Sequence, residues 1–330
     1  MKQTTFADSA SKAIFGADIF CNNWRKSMTI EQILADIKSK RRKKVILDTD
    51  AYNEIDDQYA ITYCYLADSI DLQAVYAAPF HNDKSTGFAD GMEKSYDEIK
   101  KVLSMTDPNY ITPVFEGSRT TIEESGGPVD SPAARHLIEF VKTSDEIVYV
   151  LAIGAITNIA SALMLDPSIR ENMAVIWLGG NQLDSDNLGE FNLVQDYTAG
   201  QIFLNRGVPL LLCPAWFIVS VLTTNIELTR DLMGHSKVCD YLAGISQQAW
   251  KDAGENPAWV RTIWDIAAPA ILDNPDCAQI EIVPAPIFTD QRVYAFDSTR
   301  HKILYLKSID REKVFDATWK ILKSHKDKEA

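Results

Sequence analysis

Five acidic residues fall within ten positions behind one apolar strand: Asp48, Asp50, Glu54, Asp56 and Asp57 follow Val45, Ile46 and Leu47. Like charges crowded beside a buried strand raise the free energy unless something positive sits among them. Three chemistries compete for such a cluster. An EF-hand calcium loop needs Asp or Asn at its fifth position and Gly at its sixth, and Tyr52 and Asn53 stand there instead. A phosphoryl-transfer aspartate of the pattern DxDx[TV] needs Thr or Val at Tyr52; that match is broken, although Asp48 and Asp50 keep its spacing. The third is a hard-cation site of strand-end carboxylates completed by distant segments, for which all-oxygen ligands favour Ca²⁺ or Mg²⁺ over zinc. An acidic helix N-terminus explains Asp56 and Asp57 through the helix dipole but leaves Asp48 and Asp50 less well explained.

The elements that must position these groups alternate. KVILD, LQAVYAA, EIVYVLAI, MAVIWLGG and VPLLLCP read as buried parallel strands. Helical stretches such as DDQYAITYCYLAD, ASALMLDPSIR and DYTAGQIFLNRG lie between them, and Gly207 and Pro209 suit the end of the last. This alternation predicts an α/β fold, a mostly parallel central sheet flanked by helices. Ligands in such sheets bind at the carboxyl ends of strands, where Asp48 to Asp57 lies. From about Ile280 the tail reads as strand-like EIVPAPIF, VYAF and KILYLK, then a helix near Arg311 to Ser324. Residues 1–43 read as a helical extension. Ser27 or Thr29 caps a helix through TIEQILADIKSK, with Ile30, Ile33, Leu34 and Ile37 on one face. Residues 44–330 read as a single domain.

Composition narrows the function. The 330 residues carry a net charge of −13, which disfavours a nucleic-acid polymer as partner. The basic run Lys38 to Lys44 reads as a solvated helix end. Cys21, Cys64, Cys213, Cys239 and Cys277 are odd in number, with no CxxC pair, and read as free thiols in a reducing compartment. No signal peptide and no membrane span are expected, so the expected location is cytoplasmic.

VILDTDAYNEIDDQYAI resembles the opening motif of the nucleoside hydrolases, DxDPGxDDAxA, with AYNEI in place of PGx and a loop two residues longer. The order of later segments extends the resemblance over most of the chain from Lys44. LAIGAITNIASAL is similar to the family's GPLTNIA segment; Gly154 permits a tight turn, and Thr157 or Asn158 can cap the following helix. Gly179, Gly180, Glu190, Phe191, Asn192 and Asp196 follow the family's order of GG, variable loop, EFN and Asp. Asn82 stands where the family has an Asn after its second strand, and Trp264–Asp265 stand where it places His or Trp before an Asp ligand.

The resemblance implies a Rossmann-like open sheet of the nucleoside hydrolase type and roles for particular residues. Asp50, Asp57, the Ile153 backbone carbonyl and Asp265 would hold Ca²⁺, with Mg²⁺ the second choice. Asp50 would take a proton from water, Asp56 would contact the water or the ribose, and Asp48 would fix the ligands from behind. Asn82, Asn187 (or Asp184), Glu190 and Asn192 would bind the sugar, and Trp264 would stack on the base. Trp264 in place of His resembles the branch that stacks purines on indole. The implied activity is Ca²⁺-dependent hydrolysis of a purine-tolerant ribonucleoside to base and ribose by a homodimer or homotetramer. Two other readings stay open: a metal- and ribose-binding protein without catalysis, motivated by the altered loop and missing His, and a phosphohydrolase using Asp48. The latter lacks a Gly-rich basic loop for phosphate. His81, Arg292 and His301 read as structural.

Overall fold

The computed structural model describes residues 28–39 and 41–327. Ser27 and Cys21 lie outside the described residues. Of the expected extension, the helix Ile30–Ile37 is present. Thr29 caps it, accepting from the Gln32 backbone while the Gln32 side chain accepts from Thr29 N–H at 2.9 Å. Ile33 and Ile37 are its buried face.

In chain order the strands are β1 (Lys43–Thr49), β2 (Ile70–Ala77), β3 (Val114–Phe115), β4 (Val148–Ala152), β5 (Met173–Leu178) and β6 (Leu210–Cys213). After these come β7 (Thr223–Asn225), β8 (Val260–Thr262), β9 (Ala278–Pro284), β10 (Ile287–Phe288), β11 (Tyr294–Ala295) and β12 (Lys302–Ile309). The central sheet has eight strands in the order β3-β2-β1-β4-β5-β6-β12-β9. All its pairs are parallel except β12 with β9. The α/β expectation is therefore met, with one antiparallel edge. The five apolar runs are β1, β2, β4, β5 and β6. EIVPAPIF is split between β9 and β10, and the last helix is Arg311–Ser324.

Successive residues of each strand point to opposite faces, so the sheet divides the core. Val45, Leu47, Tyr149, Leu151 and Ile176 face one layer; Ile46, Val148, Val150, Val175 and Trp177 face the other. Both layers are covered by helices, which is why the runs are continuously apolar. The helix Asp57–Leu66 is buried from Asp57 through Cys64, so its acidic first residue starts inside the protein. No helix among the described residues is long and apolar enough to cross a membrane. Cys64, Cys213, Cys239 and Cys277 are buried free thiols.

The chain order reverses at β1, which lies between β2 and β4. That switch leaves a crevice beyond the carboxyl ends of β1 and β4. The Ile153 N–H donates to the Asp48 carbonyl at 2.9 Å, carrying the ladder one step past β4.

Candidate active site

The acidic loop leaves β1 at this crevice. Asp48, Asp50, Asp56 and Asp57 are all buried. Asp48 lies beneath the crevice: one carboxylate oxygen accepts the Asn158 amide at 2.8 Å, and the other has no partner among the described residues. Burial pushes its carboxyl up to about 7. Asp50 comes next on the same face. Its Oδ2 is buried without a partner among the described residues, and burial followed by the charge of Asp57 holds its carboxyl well above the usual range. A Cβ on Gly154 would stand 3.0 Å from Asp50 Oδ1 and 3.1 Å from the Ala78 Cβ, so a side chain there would crowd the Asp50 carboxylate.

Asp57 opens the next helix. The Thr49 hydroxyl donates to its Oδ1, yet burial still pushes this carboxyl up to about 7. Asp56 is raised well above its ordinary value by burial and then by Glu54 and Asp57, with Arg261 opposing. Asp265 arrives from the turn Trp264–Ile266 and is raised by burial and then by Asp56, Asp57 and Asp50. One oxygen each from Asp56, Asp57 and Asp265 lies within 4.8 Å of the others.

This donor set fits a hard divalent cation. The oxygens are close, anionic and buried, their protonation is favoured when no positive charge is among them, and Asp50 holds an orphaned oxygen beside them. The expected set and the observed group share Asp57 and Asp265. The close-packed third carboxylate is Asp56, with Asp50 adjacent.

Across the crevice, Glu190 caps the helix Phe191–Gln195. Its Oε1 accepts Asn192 N–H at 2.8 Å, and its Oε2 accepts Gly180 N–H at 2.8 Å and Leu193 N–H at 2.9 Å. Burial nonetheless raises its carboxyl to about 7. Asn192 is pinned between strand ends, donating to the Ile153 carbonyl at 3.1 Å and the Leu178 carbonyl at 3.0 Å. Both amide hydrogens are thereby spent, and only its Oδ1 is left to offer. The Ile153 carbonyl keeps a second lone pair.

These groups line a cleft of about 160 Å³. The fourth wall is aromatic. Trp264 lines it, and Trp216, from the segment after β6, meets Trp264 edge-to-face with centroids 5.4 Å apart. The Ile263 N–H donates to the Leu222 carbonyl at 2.9 Å, which ties the two aromatic segments together.

The expected residues Asp50, Asp56, Asp57, Ile153, Glu190, Asn192, Trp264 and Asp265 all line this cleft. Asp48 sits below it, as a supporting group would. Asn82 and Asn187 are not among its walls. Asn187 is exposed and builds the turn ahead of Glu190: its Oδ1 accepts Gly189 N–H at 3.1 Å and the Asn181 amide at 3.2 Å. Asp184, its alternative, is also exposed. The Asn82 amide donates to Asn53 Oδ1 at 2.6 Å.

Sequence reasoning gave no site role to Asn53, Glu54 or Trp216, all of which line the cleft. The extra loop length that sets AYNEI apart was the available signal for the first two. The position of Trp216 just past the carboxyl end of β6 was the signal for the third. The loop is braced: the Lys84 ammonium donates to the Asn53 carbonyl at 2.8 Å, and Arg261 pairs with Glu54 at 2.5 Å.

Residues 45–316 match the family model for inosine-uridine preferring nucleoside hydrolase. A pyrimidine-specific ribonucleoside hydrolase, RihB, of Escherichia coli strain SE11 is 24% identical over 186 residues, 52% of this chain and 59% of that protein. The match thus spans about three fifths of that relative's length. Among solved structures, the plant nucleoside hydrolase PpNRh1 superposes with a TM-score of 0.71 at 20% identity, covering 86% of this chain and 99% of that one. A purine-preferring ribonucleoside hydrolase from Gardnerella vaginalis gives 0.68 at 17% identity, covering 86% and 100%.

Proposed function

We propose, for a chain that belongs to the inosine-uridine preferring nucleoside hydrolase family, that it hydrolyses the N-glycosidic bond of a ribonucleoside to free base and ribose, with a divalent cation. The carrying observation is the meeting of four buried aspartates with the Glu190–Asn192 pair and an indole wall in one cleft. A cation bound by the aspartates, for which we propose Ca²⁺, would neutralise them, orient water and hold vicinal sugar hydroxyls.

The chain's own groups do the rest. Asp50, whose Oδ2 has no partner among the described residues, is placed to take the proton of the attacking water. Asp56 faces the same space, oriented by the Trp264 N–H at 2.9 Å. Glu190 and the Asn192 Oδ1 accept sugar hydroxyls and fix the ring for an oxocarbenium-like transition state. No His, Lys or Tyr side chain lines the cleft among the described residues, so the departing base is assisted by the indoles. Stacking on an aromatic side chain is worth about 1–3 kcal/mol per base. The two-indole corner supports a purine-tolerant site.

Asp48 is fully buried, which argues against its use as a phosphoryl nucleophile. The reading also includes a homodimer or homotetramer in a reducing, cytoplasmic setting, which the buried free thiols suit. Base release by Asp50→Ala tests the assignment: loss of turnover with the fold intact supports it, and turnover near the native rate overturns it.

A further inference from the structure

The longer acidic loop places the Asn53 amide on the wall of the cleft. Asn53 is 7% exposed and lines the cleft. A chain of hydrogen bonds fixes which way its amide is turned. The Lys84 backbone N–H donates to Asn82 Oδ1 at 2.9 Å, so the other end of the Asn82 amide must be its NH₂. That NH₂ donates to Asn53 at 2.6 Å, so the atom it meets must be the Asn53 carbonyl oxygen. The Asn53 NH₂ is thereby turned away from Asn82, and it has no protein acceptor among the described residues.

The cleft has few other side-chain donors. Its carboxylates only accept when ionised, and Asn192 has spent both amide hydrogens on the Ile153 and Leu178 carbonyls. Asn53 is thus the one side-chain amide on the walls with unused hydrogens. A sugar hydroxyl that donates its proton to a carboxylate keeps its oxygen free to accept, and the other side-chain donors on these walls, among the described residues, are the indole N–H groups of Trp216 and Trp264.

We infer that Asn53 donates a hydrogen bond to a hydroxyl oxygen of the glycosyl group, and that Asn82 is a positioning residue that holds Asn53 in register. This rests on the nucleoside reading above. It moves sugar recognition on this wall from the end of β2 to the loop after β1. The loop should survive truncation of Asn53, because the Lys84 ammonium holds the Asn53 main-chain carbonyl and the Gln58 amide holds the Ala51 carbonyl at 2.7 Å.

The test compares the intact protein with Asn53→Ala and Asn82→Ala. kcat and KM are measured on a cleaved ribonucleoside and on its 2′-, 3′- and 5′-deoxy analogues. Calorimetry measures binding of a carbon-linked nucleoside that cannot be hydrolysed. Asn53→Ala is expected to lower kcat/KM about ten- to a hundredfold on the parent. On one deoxy analogue it should change kcat/KM less than twofold, because the partner atom is already gone. Asn82→Ala should give a smaller loss with the same analogue pattern, and Asn53→Ala should weaken binding of the carbon-linked ligand. An Asn53→Ala protein within twofold of native on the parent, an equal loss on every analogue, or a larger loss in Asn82→Ala overturns the inference alone. A native protein that neither cleaves nor binds any nucleoside overturns the functional reading and this inference together.

Discussion

The backbone N–H of Trp264 donates to the Asp56 carboxylate at 2.9 Å, joining residues 208 positions apart. One contact thereby sets the indole wall of the cleft against the loop that carries the acids. It also fixes Asp56 close to Asp57 and Asp265.

Asp56→Asn keeps an acceptor for that N–H and removes one charge from a cluster of like charges. Turnover should fall by about 10²–10⁴, the range for loss of a general acid–base group. In chelator, the variant should melt no lower than the native protein, because a buried like-charge repulsion has gone. Parallel melting curves and initial rates check both halves.

Chelation should lower the melting temperature, and cation should restore it. At a free concentration a hundredfold above Kd, a ligand specific for the folded state adds about 2.7 kcal/mol. Asp265→Ala should abolish the shift while leaving a folded protein, as read by thermal scans with and without Ca²⁺.

Glu190 gives a pH signature outside the acidic loop. Its carboxyl is raised from 4.5 to about 7 by burial. The folded state therefore holds a proton that the unfolded chain has released. The stability this gives is fully present below about 4.5 and is lost as pH rises through about 7. A shift of this size is worth roughly 3 kcal/mol. In chelator, the melting temperature of the native protein should fall relative to Glu190→Gln between pH 5 and pH 8. Parallel profiles would contradict it.

Trp264→Ala should cost about 1–3 kcal/mol on a purine nucleoside, roughly a five- to 150-fold loss in kcat/KM. Trp216, which is 52% exposed and touches Trp264 edge-on, should cost less when changed to Ala. Rates on purine and pyrimidine nucleosides for both variants rank the two indoles.

Much of the frame was legible because buried parallel strands are continuously apolar, as β1, β4 and β5 are. The two-residue β3 and the three-residue β7 and β8 carry too little pattern to read, whereas β9 was read as the start of EIVPAPIF, which the structure divides between β9 and β10. In the site, the aspartates stood out because charge beside a strand is costly. Asn53 did not, since its place depends on how Asn82 and Lys84 brace the loop. Asn187 drew attention through the resemblance, as an Asn in the loop before EFN, but its side chain is consumed in the turn.

The most direct measurement is reducing-sugar release from a panel of purine and pyrimidine ribonucleosides, with Ca²⁺ and again after chelation. The expected result is release from at least one purine nucleoside that stops on chelation and returns when the cation is restored. No release from any member of the panel by folded, cation-loaded protein, or release indifferent to chelation, would contradict the divalent-cation N-glycosidase reading.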